Sequence, residues 1–372
     1  MLGIILEFIC AYWKLWAGIF ILQGLCGVYM FEQAWKATER IRLGEEACYA
    51  EFPSFKRRDA HLWSRSVFYP GCFLLLIPRF VWIFFWLLSI GMWQLFLYKG
   101  QPKQEPLSGW RRTVHKRVLW FMVPLLLMGF GYRSELVEHT EADYSKYLGP
   151  DWRDNKFKGK RVSTLVTNHL GFLEIPGLII ALSTPPGFIT AADTSRMPLA
   201  RSYCEALQCV YVDRLASKDS LDRQVAEIGA RQRLIENDDK DWGQIVIFSE
   251  GAVTNGLNMS RFRRGAFESG VAVQPGFFTF EYTAVHPDYA TMKTLELLSL
   301  SLSEIAFNRQ VYNTFPTFVP NEYMYTEYAK TIPGHEKMPR CEIYAHAVND
   351  FIRRAGGFGV NTQPNRDLVS LR

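Results

Sequence analysis

Apolar positions form three long blocks in the first third of the chain and then break into short segments. Residues 15–31 carry no charge between Lys14 and Glu32. Residues 80–98 form a second uncharged run, long enough to cross or enter a bilayer. Pro78 and Arg79 precede it, so this element reads as broken or re-entrant. The third run, 118–132, is shorter and contains Pro124, which suits a half-membrane or interfacial helix. The first run lacks a basic start and a small-residue cleavage pattern, which favours an anchor over a cleaved signal. The competing reading, core helices of a soluble protein, fits poorly with runs this long and aromatic.

From about residue 134 strand and helix signals alternate. "VSTLVTNH", "PPGFITAAD", "CVYVDR", "QIVIFSEG" and "VAVQPGFFTFEY" read as strands, and "GFLEIPGLIIALS", "LARSYCEAL" and "DSLDRQVAEIGARQRLIEN" as helices, the last with a Ser or Asp cap. This order predicts an α/β fold, a mostly parallel sheet flanked by helices, preceded by N-terminal membrane-embedded helices. Three parts are expected: 1–132 as membrane-anchoring helices with basic linkers, 133–330 as the α/β domain, and 331–372 as a C-terminal helix and tail. In such sheets the site lies beyond the carboxyl ends of the strands, where His169, Arg214 and Glu250 each fall.

Composition sharpens this picture. Aromatic residues make up 15% of the 372 residues, a load that suits a membrane interface. The net charge of +5 fits anionic headgroups or phosphates and is too mild to argue nucleic acid. Phosphate-binding and dinucleotide glycine motifs are missing, so no nucleic-acid or nucleotide-fold partner is expected. If the second and third apolar runs form a hairpin, their basic flanks, 32–66 and 99–117, and the α/β domain share one face. That face belongs on the cytosolic side. Seven cysteines with no C-x-x-C pair argue against a disulfide framework or zinc site; they read as reduced and mostly buried.

Four blocks carry the candidate chemistry: "NHLGFLE" at 168–174, "CVYVDR" at 209–214, "IFSEGAVTNG" at 247–256 and "VAVQPGF" at 271–277. In order and spacing they resemble the four motifs of the glycerophospholipid acyltransferase family. The similarity is greatest to its lysophosphatidylcholine and lysophosphatidylethanolamine acyltransferases and runs from about 115 to 350. The resemblance implies acyl transfer from acyl-CoA, as co-substrate, to a lysophospholipid hydroxyl in a phospholipid membrane. No metal and no tightly bound cofactor is expected, since the energy resides in the thioester. His169 would be the general base and Glu174 would orient it. Arg214, Glu250, Gly251, Arg263 and Pro275 would bind substrate, the arginines by pairing with phosphate, and amides after Glu250 could add to anion binding. An endoplasmic reticulum membrane is implied, with a mitochondrial membrane as the alternative.

The chain departs from the family pattern in three places. Glu174 stands where Asp is usual, Ser249-Glu250-Gly251-Ala252 replaces Pro-Glu-Gly-Thr, and Gly276 replaces an apolar residue. One extra methylene shifts a carboxylate by roughly 1.5 Å on a fixed backbone, and about 1 Å of misplacement can cost on the order of 100-fold in rate. A second reading therefore keeps the fold with impaired catalysis, as a structural or lipid-binding subunit of a larger membrane complex.

Overall fold

The structure, a computed structural model, describes residues 7, 11–44, 53–101, 105–213, 216–288 and 292–360. The apolar runs form helices α1 (Trp13–Ala37), α2 (Arg65–Leu74), α3 (Leu76–Leu97) and α4 (Gly109–Gly129). Helices α1 and α3 are long and apolar enough to cross a membrane. The break between α2 and α3 has a local cause: Pro78 has no N–H to offer the Leu74 carbonyl four residues back. Helices α3 and α4 form the expected hairpin. Trp82 Nε1 donates to the Leu125 carbonyl at 2.7 Å, His115 Nδ1 lies 3.0 Å from Gln94 Oε1, and Arg111 donates to the Leu97 carbonyl. Outward faces of these helices expose Trp13, Phe20, Phe84, Phe85, Trp120 and Phe121, a surface suited to lipid rather than water.

Strands β1 (Tyr132–Glu138), β2 (Thr164–Thr167), β3 (Gly187–Ala191), β4 (Val210–Val212), β5 (Ile245–Phe248), β7 (Val273–Glu281) and β8 (Asn308–Thr314) build one sheet in the order β1-β8-β7-β2-β5-β3-β4. All pairings are parallel except β7 with β8. β6 (Asn258–Met259) and β9 (Gly359–Val360) form a separate two-stranded ladder. Between the strands lie α5 (Glu174–Ala181), α6 (Pro198–Ala206), α7 (Lys218–Asn237), α8 (Thr294–Ser303) and, near the end, α9 (Arg340–Gly356). Ser217 precedes α7, but its side chain makes no capping bond.

Side chains alternate across the sheet as the two-residue period of a strand requires. Val166, Ile245 and Ile247 face a core with Ile228 and Ile235 of α7 and Tyr344, Val348 and Ile352 of α9. Leu165 and Val246 face the opposite core with Leu178 of α5. The closing helix is therefore one wall of the α/β core. Likewise Phe31, Phe68, Leu76 and Ile83 of the apolar helices share a core with Leu297 and Leu300 of α8. Among the described cysteines Cys72 and Cys341 are buried, Cys204 and Cys209 are half-buried, and Cys26 is exposed on α1. Only Cys26 of these five departs from the expectation of mostly buried thiols, and Cys10 and Cys48 lie outside the described residues.

Candidate active site

His169 and Glu174 lie at the carboxyl end of β2. The chain leaving β2 is pinned first by Asn168, whose side chain accepts the Phe278 N–H at 2.8 Å and donates to its carbonyl at 3.1 Å. It continues a β2–β7 pairing that stops at Val166 and Pro275. His169 follows, with Nδ1 2.6 Å from Glu174 Oε2. Glu174 Oε1 accepts the Leu170 N–H, also at 2.6 Å. The carboxylate is fully buried and belongs to the first residue of α5, where the helix N-terminus favours negative charge. Burial pushes its pKa up, opposed by His169 and by nearby backbone N–H groups. Donation from Nδ1 to Glu174 would fix the imidazole tautomer that carries its proton on Nδ1. Phe248, at the end of neighbouring β5, stacks on the imidazole with centroids 4.2 Å apart and 18° between planes. The longer glutamate therefore keeps its contact.

Glu250 faces inward. Its Oε1 accepts the His169 N–H at 3.0 Å and its Oε2 the Ser260 N–H at 2.8 Å, and the residue is fully buried. The expectation that it binds the lipid head is corrected to a backbone-holding role, because both oxygens are taken up by main-chain donors. Of the loop amides that follow, Gly251 donates to the Phe248 carbonyl, Thr254 to the His169 carbonyl and Asn255 to the Ser54 carbonyl, so these three are turned to the main chain. Pro275 is buried within β7 rather than lining a cavity, so it does not bind substrate and does not end the strand. It sits where pairing to β2 stops. Arg214 falls outside the described residues.

Gly251 and Arg263 do meet. Gly251 has φ +71°, and a Cβ there would overlap Arg263 Nε, so glycine is needed twice over. The Arg263 N–H donates to the Ser249 carbonyl at 2.9 Å. Together with the Gly251–Phe248 bond this closes the turn without the usual proline. Gly276 has its own reason: any Cβ would overlap the buried Tyr312 hydroxyl.

His169, Phe248, Gly251 and Arg263 line a cavity of about 1740 Å³. One part is apolar and is walled by Ile83 and Leu87 of α3, Phe172, and Leu297 of α8. Another part is polar and includes Arg261, Arg264 and, from α9, His346 and Asn349. A volume above the roughly 300–1,000 Å³ of usual small-molecule pockets suits two substrates or a long one. Phe248, Arg261 and His346 were missed from sequence. Phe248 closes a recognised strand, a signal that could have found it; nothing local marks His346, which arrives through long-range packing of α9.

The chain is similar to known acyltransferases. Residues 154–281 match the Acyltransferase family model. Lysophosphatidylcholine acyltransferase of Drosophila melanogaster is 25% identical over 309 residues, 81% of this chain and 49% of that one. Lysophosphatidylcholine acyltransferase 2 of Danio rerio is 28% identical over 68% of this chain and 45% of its own. Lysophospholipid acyltransferase LPEAT1 of Arabidopsis thaliana is 24% identical over 60% and 57%. The chain thus spans about half the length of these curated relatives. The crystal structure of the 1-acyl-sn-glycerophosphate acyltransferase of Thermotoga maritima aligns with a TM-score of 0.45 at 13% identity, covering 76% of this chain and 94% of that one. Residues 154–281 therefore resemble the Acyltransferase family, in a chain similar along most of its length to lysophospholipid acyltransferases.

Proposed function

We propose that this protein transfers a fatty acyl group from acyl-CoA to the hydroxyl of a lysophospholipid, with His169 as general base. The observation that carries this reading is the 2.6 Å contact between His169 and Glu174 on the wall of a cavity that also reaches α3. An alcohol is a poor nucleophile until a base removes its proton as it attacks. Nε2 of His169 takes that proton while the oxygen adds to the thioester carbonyl. The buried Glu174 carboxylate stabilises the imidazolium formed. Collapse of the tetrahedral intermediate expels the thiolate, which recovers the proton from Nε2, leaving acylated lipid and free CoA. The bond energy of the thioester drives transfer, so the reading asks for no resident cofactor.

The apolar wall of the cavity supports a lipid chain as ligand, and Arg261, Arg263 and Arg264 support phosphate at the polar part. Residence in a membrane follows from α1 and α3; the endoplasmic reticulum is proposed first and a mitochondrial membrane second. The test is transfer from labelled acyl-CoA into a panel of lysophospholipids by the full chain and His169→Ala. Turnover lost in the variant supports the reading. Silence from folded wild type overturns it in favour of a structural or lipid-binding subunit in a larger membrane complex.

A further inference from the structure

We propose that segment 53–59 is part of the catalytic apparatus, with Arg57 and Asn255 as positioning residues for His169. This deepens the function proposed above and rests on it for its kinetic test alone. The segment belongs to the N-terminal third, outside the residues matched by the acyltransferase family. It reaches the loop of His169 from two sides.

On one side stands Asn255, from the block "AVTNG". Its Nδ2 donates to the carbonyls of Pro53 and Lys56, both at 2.7 Å, and its N–H donates to the Ser54 carbonyl at 2.8 Å. The adjacent Thr254 N–H donates to the His169 carbonyl at 2.8 Å. Two successive peptide groups thus connect segment 53–56 to the backbone of the base. Asn255 is 2% exposed and does not line the cavity, so it acts through His169 rather than on substrate.

On the other side stands Arg57. It is buried and paired with Asp59 through Nε at 2.8 Å and Nη2 at 2.5 Å. It also donates to the carbonyls of His286 at 2.7 Å and Asp288 at 2.5 Å. Asp59 in turn accepts the His286 N–H at 2.7 Å. The loop held this way presses on the motif between base and carboxylate: a Cβ at Gly171 would lie 2.8 Å from the Pro287 carbonyl oxygen. A buried ion pair is weak evidence for stability, since desolvation offsets the attraction. Its four directed bonds fix geometry instead.

The experiment uses the full chain in detergent or nanodiscs, with Asn255→Ala and Arg57→Lys beside a control, Asn321→Ala. The control deletes side-chain bonds to the Leu148 carbonyl and from the Met324 N–H, outside these loops. Three quantities are measured: kcat and KM per folded protein, the pH–rate profile, and the rate of His169 modification by diethylpyrocarbonate, resolved by mass spectrometry. Asn255→Ala is expected to lower kcat by about 10–100-fold with KM within about twofold, as a displacement near 1 Å would. The His169 modification rate and its pH midpoint should move as well, while the control leaves both alone. Wild-type kcat, modification rate and midpoint in folded Asn255→Ala would overturn the proposal. Should Arg57→Lys fail to fold, Asn255→Ala decides by itself, since it removes only neutral bonds. If wild type shows no turnover, the acyltransferase reading fails separately, and the modification rate still decides whether the segment positions His169.

Discussion

Nδ1 of His169 sits 2.6 Å from Oε2 of Glu174, and the second carboxylate oxygen is held by the Leu170 N–H at the same distance. The glutamate is thus fitted to this backbone. Shortening it should hurt, even though Asp is usual in the family. Glu174→Asp is expected to lower kcat by about 10–100-fold, since about 1 Å of misplacement costs on this scale. His169→Ala should lose turnover altogether. Steady-state kinetics on purified, folded variants check both.

Gly251→Ala should cost about 1–2 kcal/mol of stability, the strain of placing a side chain at φ +71°. Its Cβ would also push Arg263 aside, because the guanidinium lies against that backbone. A raised KM for at least one substrate is expected, with kcat less affected. Thermal unfolding and a KM measurement for each substrate separate the two effects.

Burial pushes the Glu250 carboxyl up to about 8, outweighing the two N–H groups that favour its charge. A carboxyl raised on folding keeps its proton in the native state where the unfolded chain has lost it. Its contribution to stability is therefore complete below the ordinary value of about 4.3 and declines as pH rises toward about 8. The thermal midpoint of wild type should fall across that window. Glu250→Gln, which cannot titrate, should flatten the decline, at the cost of a donor facing one of the two N–H groups. Unfolding scans over the pH range in one detergent decide it.

Gly276→Ala should destabilise by about 1–3 kcal/mol through overpacking against Tyr312. Combining it with Tyr312→Leu should recover part of the loss, since the overlapping ring is gone. Two singles and the double, compared by thermal unfolding, give the coupling.

The order of elements was legible in the sequence because local rules govern it. Short apolar runs marked β2 and β5, a helical period marked α7, and long uncharged runs marked α1 and α3. The His169–Glu174 contact was legible too, because only four residues separate His169 from Glu174 at the start of α5. Pro275 and Glu250 were misjudged for the same physical reason. Strand-end position is a local property, but the direction a side chain faces depends on neighbours far along the chain. For Glu250 those neighbours are His169 and Ser260; for Pro275 it is the point where β2 stops pairing.

What the sequence by itself determined is the fold class and the membrane-suited helices, written in short-range patterns of polarity, together with the nearness along the chain of His169 and Glu174. What only tertiary structure decided is which groups surround them. Phe248 stacks on the imidazole, α9 brings His346 to the cavity, and segment 53–59 bonds to loops about 200 residues later. Such contacts depend on close packing and on satisfying buried polar groups across the whole chain, conditions that no local stretch of residues records.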